Sequence, residues 1–233
     1  MEAAVAVAKV GKYATSESGD TLEMIERPGG GISFVLSDGQ QSGRPAKAIS
    51  NVVARKAISL LAEGVRDGAA ARAASDYLFT YRSGKVLATL NILSIDLQSQ
   101  TLVLTRNNPA PVLVIRGEDI CPLDGPSSSI GSRRGIRPEI SEIQLEPGLG
   151  VVVFTDGLLH AGERTGSVLD VVGSLRDLRQ SAEPEPARWA EDLLQRAVEL
   201  DEGRPSDDIT VLVAVILKRQ GDDVRRLSLR MAL

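Results

Sequence analysis

The alternation of apolar and polar positions divides this chain into blocks of two rhythms. "AAVAVAKVGKYA" and "DTLEMIE" read as strands separated by the polar turn "TSESG", and "RPGGG" then leads into "ISFVLSD". That run is apolar at nearly every position, as expected of a strand covered on both faces. After Gly43 the spacing changes. Ala46, Ile49, Val53, Ala57, Leu60 and Leu61 recur with helical period, and Gly64 stands where the helix would stop. "GAAARAASDYLFTYR" predicts a second helix. Five strand candidates follow, "KVLATLNILSIDL", "QTLVLTRN", "PVLVIRG", "ISEIQLE" and "VVVFTDG", and "LQSQ" between the first two suggests a hairpin. Helical period returns over residues 167–178 and 186–200, with Pro184 and Pro186 punctuating the gap, and "DDITVLVAVILK" closes as a strand. The tail "RQGDDVRRLSLRMAL" is charged, with scattered apolar residues.

Strands joined by tight turns argue for antiparallel sheets. Helices that come in blocks, and do not alternate with every strand, argue for an α+β fold over a doubly wound one. The chain shows neither repeats nor a low-complexity linker, so the expectation is one domain over residues 1–233, with a core of about 5–218 and a charged tail, 219–233.

Composition narrows the function classes. The chain has 233 residues, 42% hydrophobic and 25% charged, which suits a packed core and not disorder. Its net charge of -4 argues against bulk nucleic-acid binding, which wants a basic face. One cysteine, Cys121, excludes a disulfide framework and a thiolate zinc site; one histidine, His160, excludes a His-cluster metal site. "MEAAVAVAKVGK" has an acid at position 2 and its apolar run is broken by Lys9, unlike a signal peptide. No stretch approaches the roughly 18 apolar residues of a membrane span. The expectation is a cytoplasmic protein that engages neither nucleic acid nor membrane. Cys121 in "DICPLDG" is expected to be a small buried residue, Trp189 a packing anchor of its helix, and Arg133 and Arg134 part of a solvated loop.

The chemistry lies in a recurrent event: apolar runs end, or begin, at carboxylates. "ISFVLSDG" ends at Asp38-Gly39, "GVVVFTDG" ends at Asp156-Gly157, "GRPSDDITVLVAV" starts its strand after Asp207 and Asp208, and "ESGD" puts Asp20 at the head of another. A single Asp-Gly is ordinary turn chemistry. Several such ends meeting in one place would form a self-repelling cluster that calls for cations. Oxygen donors without His or Cys select hard ions such as Mg²⁺ or Mn²⁺. Gly beside the Asp lets backbone come close enough for a carbonyl to serve as ligand or a water to bridge.

This set of motifs resembles the metal-dependent protein phosphatases of the PPM (type 2C) superfamily, in the bacterial SpoIIE/RsbU/RsbX-type branch. The resemblance runs from about Val5 to Lys218. "ESGD" matches the opening "GD", "SDGQQSGRPA" matches "S-D-G-x-x-x-G-x-x-A", Thr155 and the Asp-Gly after it match "TDG", "DDIT" matches the terminal "D-[DN]-[IM]-T", and "NNPAPVLVIRG" resembles the family's Gly/Pro-rich strand turn. It implies a four-layer αββα sandwich, two antiparallel sheets flanked by helices, with a site for two divalent cations, Mn²⁺ or Mg²⁺, at one edge. Carried over by position, Asp38 would bridge the two ions and the Gly39 carbonyl would bind one of them. Asp156 and Asp207 would hold the second, and Asp20 would bind directly or through water. Catalysis would then run through Asp38, Asp156 and Asp207 by way of a water the ions activate. Asp208 falls at a position outside the immediate ligand set, and Arg44 is a candidate phosphate contact. The reaction implied is hydrolysis of phosphoserine or phosphothreonine on another protein.

The chain departs from eukaryotic members, whose "DGHGG" offers a His as general acid. Gln40 stands there instead, and Gln donates no proton at neutral pH. The lack of a preceding sensor domain resembles the stand-alone RsbX type. The partner implied is a phosphorylated STAS-domain protein, either a stressosome scaffold or an anti-sigma-factor antagonist. The rival expectation is a non-catalytic module of the same fold that grips a phosphoprotein; loss of a matched carboxylate would mark it, and all are present.

Overall fold

The computed structural model describes residues 1–181, 185–219, 221–222 and 224–230. Apolar alternation builds two five-stranded sheets. The first has the order β1-β10-β9-β6-β7, from Glu2–Val10 (β1), Ile209–Leu217 (β10), Gly150–Phe154 (β9), Val112–Arg116 (β6) and Asp119–Leu123 (β7). The second has the order β2-β3-β4-β5-β8, from Asp20–Glu26 (β2), Gly31–Asp38 (β3), Leu90–Asp96 (β4), Thr101–Asn107 (β5) and Glu139–Gln144 (β8). Each neighbouring pair is antiparallel.

The side chains facing out of each sheet find different partners. Phe34, Leu36, Leu93 and Leu104 of the second sheet meet Val114, Val151, Val153 and Leu212 of the first, and fill the space between them. The outer face of the second sheet packs Val35, Leu90 and Ile92 against Ile49, Val53 and Ala57 of α1 (Gly43–Ala62) and Ala70, Ala74 and Leu78 of α2 (Asp67–Arg82). The outer face of the first sheet packs Phe154, Val211 and Val213 against Leu175 of α4 (Val171–Ser181) and Trp189, Leu193 and Ala197 of α5 (Pro186–Leu200). The result is the four-layer αββα sandwich that the resemblance implied. Burial of this much apolar surface is the main force holding it.

Most predicted elements hold, with differences of physical origin. "KVLATLNILSIDL" becomes a strand only from Leu90; before it, Ala88 makes isolated bridges to Gly39 and Ile130. β7 falls in "DICPL", where Asp and Pro hide the strand pattern. It is an edge strand, covered fully only at Ile120 and partly at Leu123. Ile120 is buried, and Cys121 is exposed, correcting the buried reading of that thiol. A short helix, α3 (Gly157–His160), follows Asp156 at once. Trp189 is 2% exposed and anchors α5. Arg133 and Arg134 are exposed. Pro184, Gln220, Asp223 and residues 231–233 lie outside the described residues. Among those described, the tail forms no strand and no helix is long and apolar enough to cross a membrane.

Candidate functional site

Antiparallel pairing fixes where the carboxylates go. In the β2–β3 register Asp20 stands opposite Asp38. In the β9–β10 register Phe154 stands opposite Val211, so Asp156 follows the end of one strand while Asp207 precedes the start of the other. Asp38 and Asp156 thus sit at strand ends of different sheets, facing across the sandwich, and not on neighbouring strands. All four acids reach one rim.

Three glycines make this approach possible, by lack of bulk and not by unusual torsion. A Cβ on Gly39 would run into the Ala46 carbonyl oxygen, and one on Gly157 into the Asp208 carbonyl oxygen. A Cβ on Gly19 would meet the Ala46 Cβ and an Asp208 carboxylate oxygen. Each Asp-Gly or Gly-Asp pair therefore lets a strand end press against α1 or the start of β10.

The electrostatics follow from crowding. Burial, and then the charges of Asp20, Asp156 and Asp207, push the Asp38 carboxyl up to about 9. Burial also raises Asp20 to about 6, against hydrogen bonds and the Lys9 charge that lower it. Asp207 is raised, chiefly by burial, with Asp156 adding. Asp20 is 1% exposed. Its Oδ2 accepts the hydroxyls of Thr155 at 3.0 Å and Thr210 at 2.5 Å, while its Oδ1 is buried without a hydrogen-bond partner. The Asp20 carbonyl oxygen accepts two ammonium groups, from Lys9 at 2.7 Å and Lys47 at 2.6 Å. Partial burial, and then Lys47, lower the Lys9 pKa.

Sequence reasoning missed these four supports. Thr155 and Thr210 lie inside the quoted "TDG" and "DDIT", so the signal was present, but nothing local says that both hydroxyls aim at Asp20. Lys9 was read only as a break in an apolar run, and Lys47 carried no signal.

The remaining candidates divide. Asp208 is 3% exposed and gives its carboxylate to the chain itself: Oδ1 accepts the Lys12 N–H at 2.9 Å and Oδ2 the Gly19 N–H at 2.8 Å. It closes the loop between β1 and β2. Asp207 Oδ1 accepts the Asp208 N–H at 2.9 Å. Arg44 is exposed in the first turn of α1. Gln40 is a fastener: its N–H donates to the Leu87 carbonyl at 2.9 Å and its Oε1 accepts the Leu87 N–H at 3.0 Å. His160 is exposed and pairs through Nδ1 with Glu163 at 2.7 Å. That hydrogen bond is the main cause of its raised pKa, with smaller contributions from Asp156 and Asp207.

The donor set fits a hard cation. It is made of oxygens, it is self-repelling, and it includes the unpartnered Asp20 Oδ1. Among the described residues no three His, Cys, Asp or Glu side chains close around one point. An ion here would use one or two carboxylates each, completed by backbone oxygen and water, as Mg²⁺ commonly does.

Comparison with known proteins identifies the relatives of this chain and of its fold. The family profile of Stage II sporulation protein E (SpoIIE) matches residues 28–216. The Stage II sporulation protein E of Bacillus subtilis (strain 168) is 22% identical over 199 residues, covering 85% of this chain and 24% of that protein. The chain thus spans about a quarter of that relative's length. Among solved structures, the PP2C phosphatase domain of SpoIIE from Bacillus subtilis, with a fragment of its regulatory domain, superposes with a TM-score of 0.80 at 21% identity, covering 93% of this chain and 64% of that one. The catalytic domain of the serine/threonine phosphatase PstP, solved with 2 manganese ions, gives 0.69 at 16% identity, covering 93% and 99%. RsbX in complex with magnesium gives 0.68 at 15% identity, covering 92% and 95%. With its fold that of the PP2C phosphatase domains and its length matched over residues 28–216, the chain belongs to the SpoIIE family.

Proposed function

We propose that this chain is a metal-dependent protein serine/threonine phosphatase. One observation carries the reading: Asp20, Asp38, Asp156 and Asp207 converge on one rim, where burial, and then the neighbouring charges, push the Asp38 carboxyl up to about 9. A site that keeps such a cluster without need of cations would be hard to account for. Asp38, the Gly39 carbonyl, Asp156, Asp207 and Asp20 would hold two divalent cations, Mn²⁺ or Mg²⁺. When bound, such ions neutralise phosphoryl oxygens and lower the pKa of a water for in-line attack.

The chain's own residues supply order. The hydroxyls of Thr155 and Thr210 fix the Asp20 carboxylate. Lys9 and Lys47 pin its carbonyl from two different layers. Gly19, Gly39 and Gly157 let the strand ends close up. The electrostatic work is preorganised, which is where most of the acceleration of such a slow reaction has to come from. Gln40 gives no proton, since its amide is not acidic at neutral pH, and it serves to tie its loop to Leu87.

The substrate we propose is phosphoserine or phosphothreonine on a STAS-domain protein of a cytoplasmic partner-switching pathway. A phosphorylated stressosome scaffold, as for the RsbX type, is the first candidate, and an anti-sigma-factor antagonist is the second. The support is the motif order of the branch. The test is hydrolysis of a generic phosphomonoester and of phosphorylated STAS proteins, with Mn²⁺, with Mg²⁺ and in chelator. Turnover that needs a divalent ion and stops in chelator is expected. Undiminished turnover in metal-free protein would sink the mechanism. Tight binding of a phosphoprotein without turnover would favour the non-catalytic module.

A further inference from the structure

Charge is unevenly shared over this molecule. Residues 43–86, which hold α1 and α2, contain eight Lys and Arg against three Asp and Glu, and the loop 131–137 adds three Arg and no acid. These segments carry +5 and +3 in a chain whose total is -4. The excess meets an aromatic platform on the outer face of α2. Tyr77 and Tyr81, one turn apart, are 45% and 56% exposed, and their rings stack 5.9 Å apart and 8° from parallel. Lys56, from α1, lies 5.7 Å from the Tyr77 ring centre, and the Arg82 guanidinium lies 5.2 Å from that of Tyr81.

The loop 131–137 packs against another side of the same helix, because Asp76, Phe79 and Thr80 lie off the Tyr77–Tyr81 stripe. Arg134 stands 5.5 Å over the Phe79 ring and donates to the Thr80 hydroxyl at 3.4 Å. The Gly135 N–H donates to Asp76 at 2.9 Å, so the acid in this part of α2 is already engaged. Cations held over ring faces keep positive charge and apolar area in one patch. Tyr and Arg together are the residues enriched where proteins meet.

We propose that this face of α2 is a docking surface for an acidic segment of a partner protein, its carboxylates on Lys56 and Arg82 and its apolar groups on the Tyr77–Tyr81 stack. Complementary charge selects the occupant. A nucleic acid fits less well, because its continuous phosphate backbone would extend past this basic face onto a molecule of total charge -4, the acidic rim included. That rim is close along the chain: the linker 83–89 leaves the C-terminal end of α2 and fastens through Leu87 to Gln40, two residues past Asp38. The proposal does not depend on turnover at that rim.

The test is fluorescence anisotropy of the full chain with a labelled peptide of alternating Glu and Leu, and with a single-stranded oligonucleotide of equal charge. The peptide is expected to bind more tightly than the oligonucleotide, and more weakly as salt rises. Tyr77→Ala with Tyr81→Ala, and separately Lys56→Glu with Arg82→Glu, should each weaken it about tenfold or more. Lys56→Glu alone should weaken it without altering the melting curve. Arg188→Glu on α5 should leave it unchanged. Absence of binding, equal binding by all variants, or a preference for the oligonucleotide would overturn the proposal.

Discussion

Asp38 is pulled in two directions. The fold holds its carboxyl among three others, and the proposed reaction needs it ionised. Asp38→Asn keeps the shape and removes the charge. Turnover of a phosphomonoester with Mn²⁺ should fall about a hundredfold or more, the scale seen when one electrostatic group of a transition-state site is lost. The melting temperature in chelator should stay level or rise, because the asparagine needs no proton where burial and the neighbouring charges force one onto the Asp38 carboxyl. A variant that loses activity only by unfolding would instead mark Asp38 as a turn residue. Asp208 teaches the opposite lesson. Its place beside Asp207 in "DDIT" puts it outside the immediate ligand set, and both its oxygens hold backbone N–H groups of the β1–β2 loop. Asp208→Ala should cost about 1–3 kcal/mol, since two buried donors lose their acceptor, and should open residues 11–19 to limited proteolysis. The acids were legible because each interrupts an apolar run. The threonines serving Asp20 were not, since they lie 135 and 190 residues away in the chain.

At the level of elements, rhythm was readable wherever burial was one-sided or complete. β2 and α5 coincide with their predicted spans because apolar period and turn residues agree there. β7 was hidden because an edge strand tolerates Pro and acids, and the same exposure turns Cys121 outward. The thiol should therefore react readily with a thiol reagent in the native state, which titration against folded protein would check. The glycines beside the acids were legible as turns, but their steric reason was not, because the neighbour each must admit comes from another element. Gly157→Ala puts a methyl against the Asp208 carbonyl, backbone against backbone, where no side chain can swing aside. We expect a loss of about 1–3 kcal/mol or more in a denaturant melt, with α3 prised from the start of β10. Unchanged stability would show that the two segments part easily.

For the molecule as a whole, the α+β class followed from the order of blocks and the four layers from the family resemblance, whereas the coupling of the acidic rim to global stability needed the structure. That coupling has a definite sign. An isolated aspartate titrates near 4. In the folded chain burial and like charges hold Asp38 at about 9 and Asp20 at about 6, so the folded state binds protons that the unfolded state releases. For such raised acids the stabilising contribution is complete below the unfolded value and is lost as pH rises through the folded one. The metal-free protein should therefore lose stability steadily between about pH 6 and pH 9, by an amount on the order of a few kcal/mol. His160, whose pKa is raised by Glu163, titrates with the same sign, but it is exposed and its contribution is small. Asp38→Asn separates the two sources: it should flatten the decline and leave only the shallow histidine part. Saturating Mn²⁺ should also flatten it, since cations substitute for protons at the rim. Denaturant melts at fixed ionic strength across this range measure the slope directly. A metal-free protein equally stable at pH 6 and pH 9 would mean that the four carboxylates relax apart in solution, and the case for a cation-demanding centre would fall with them.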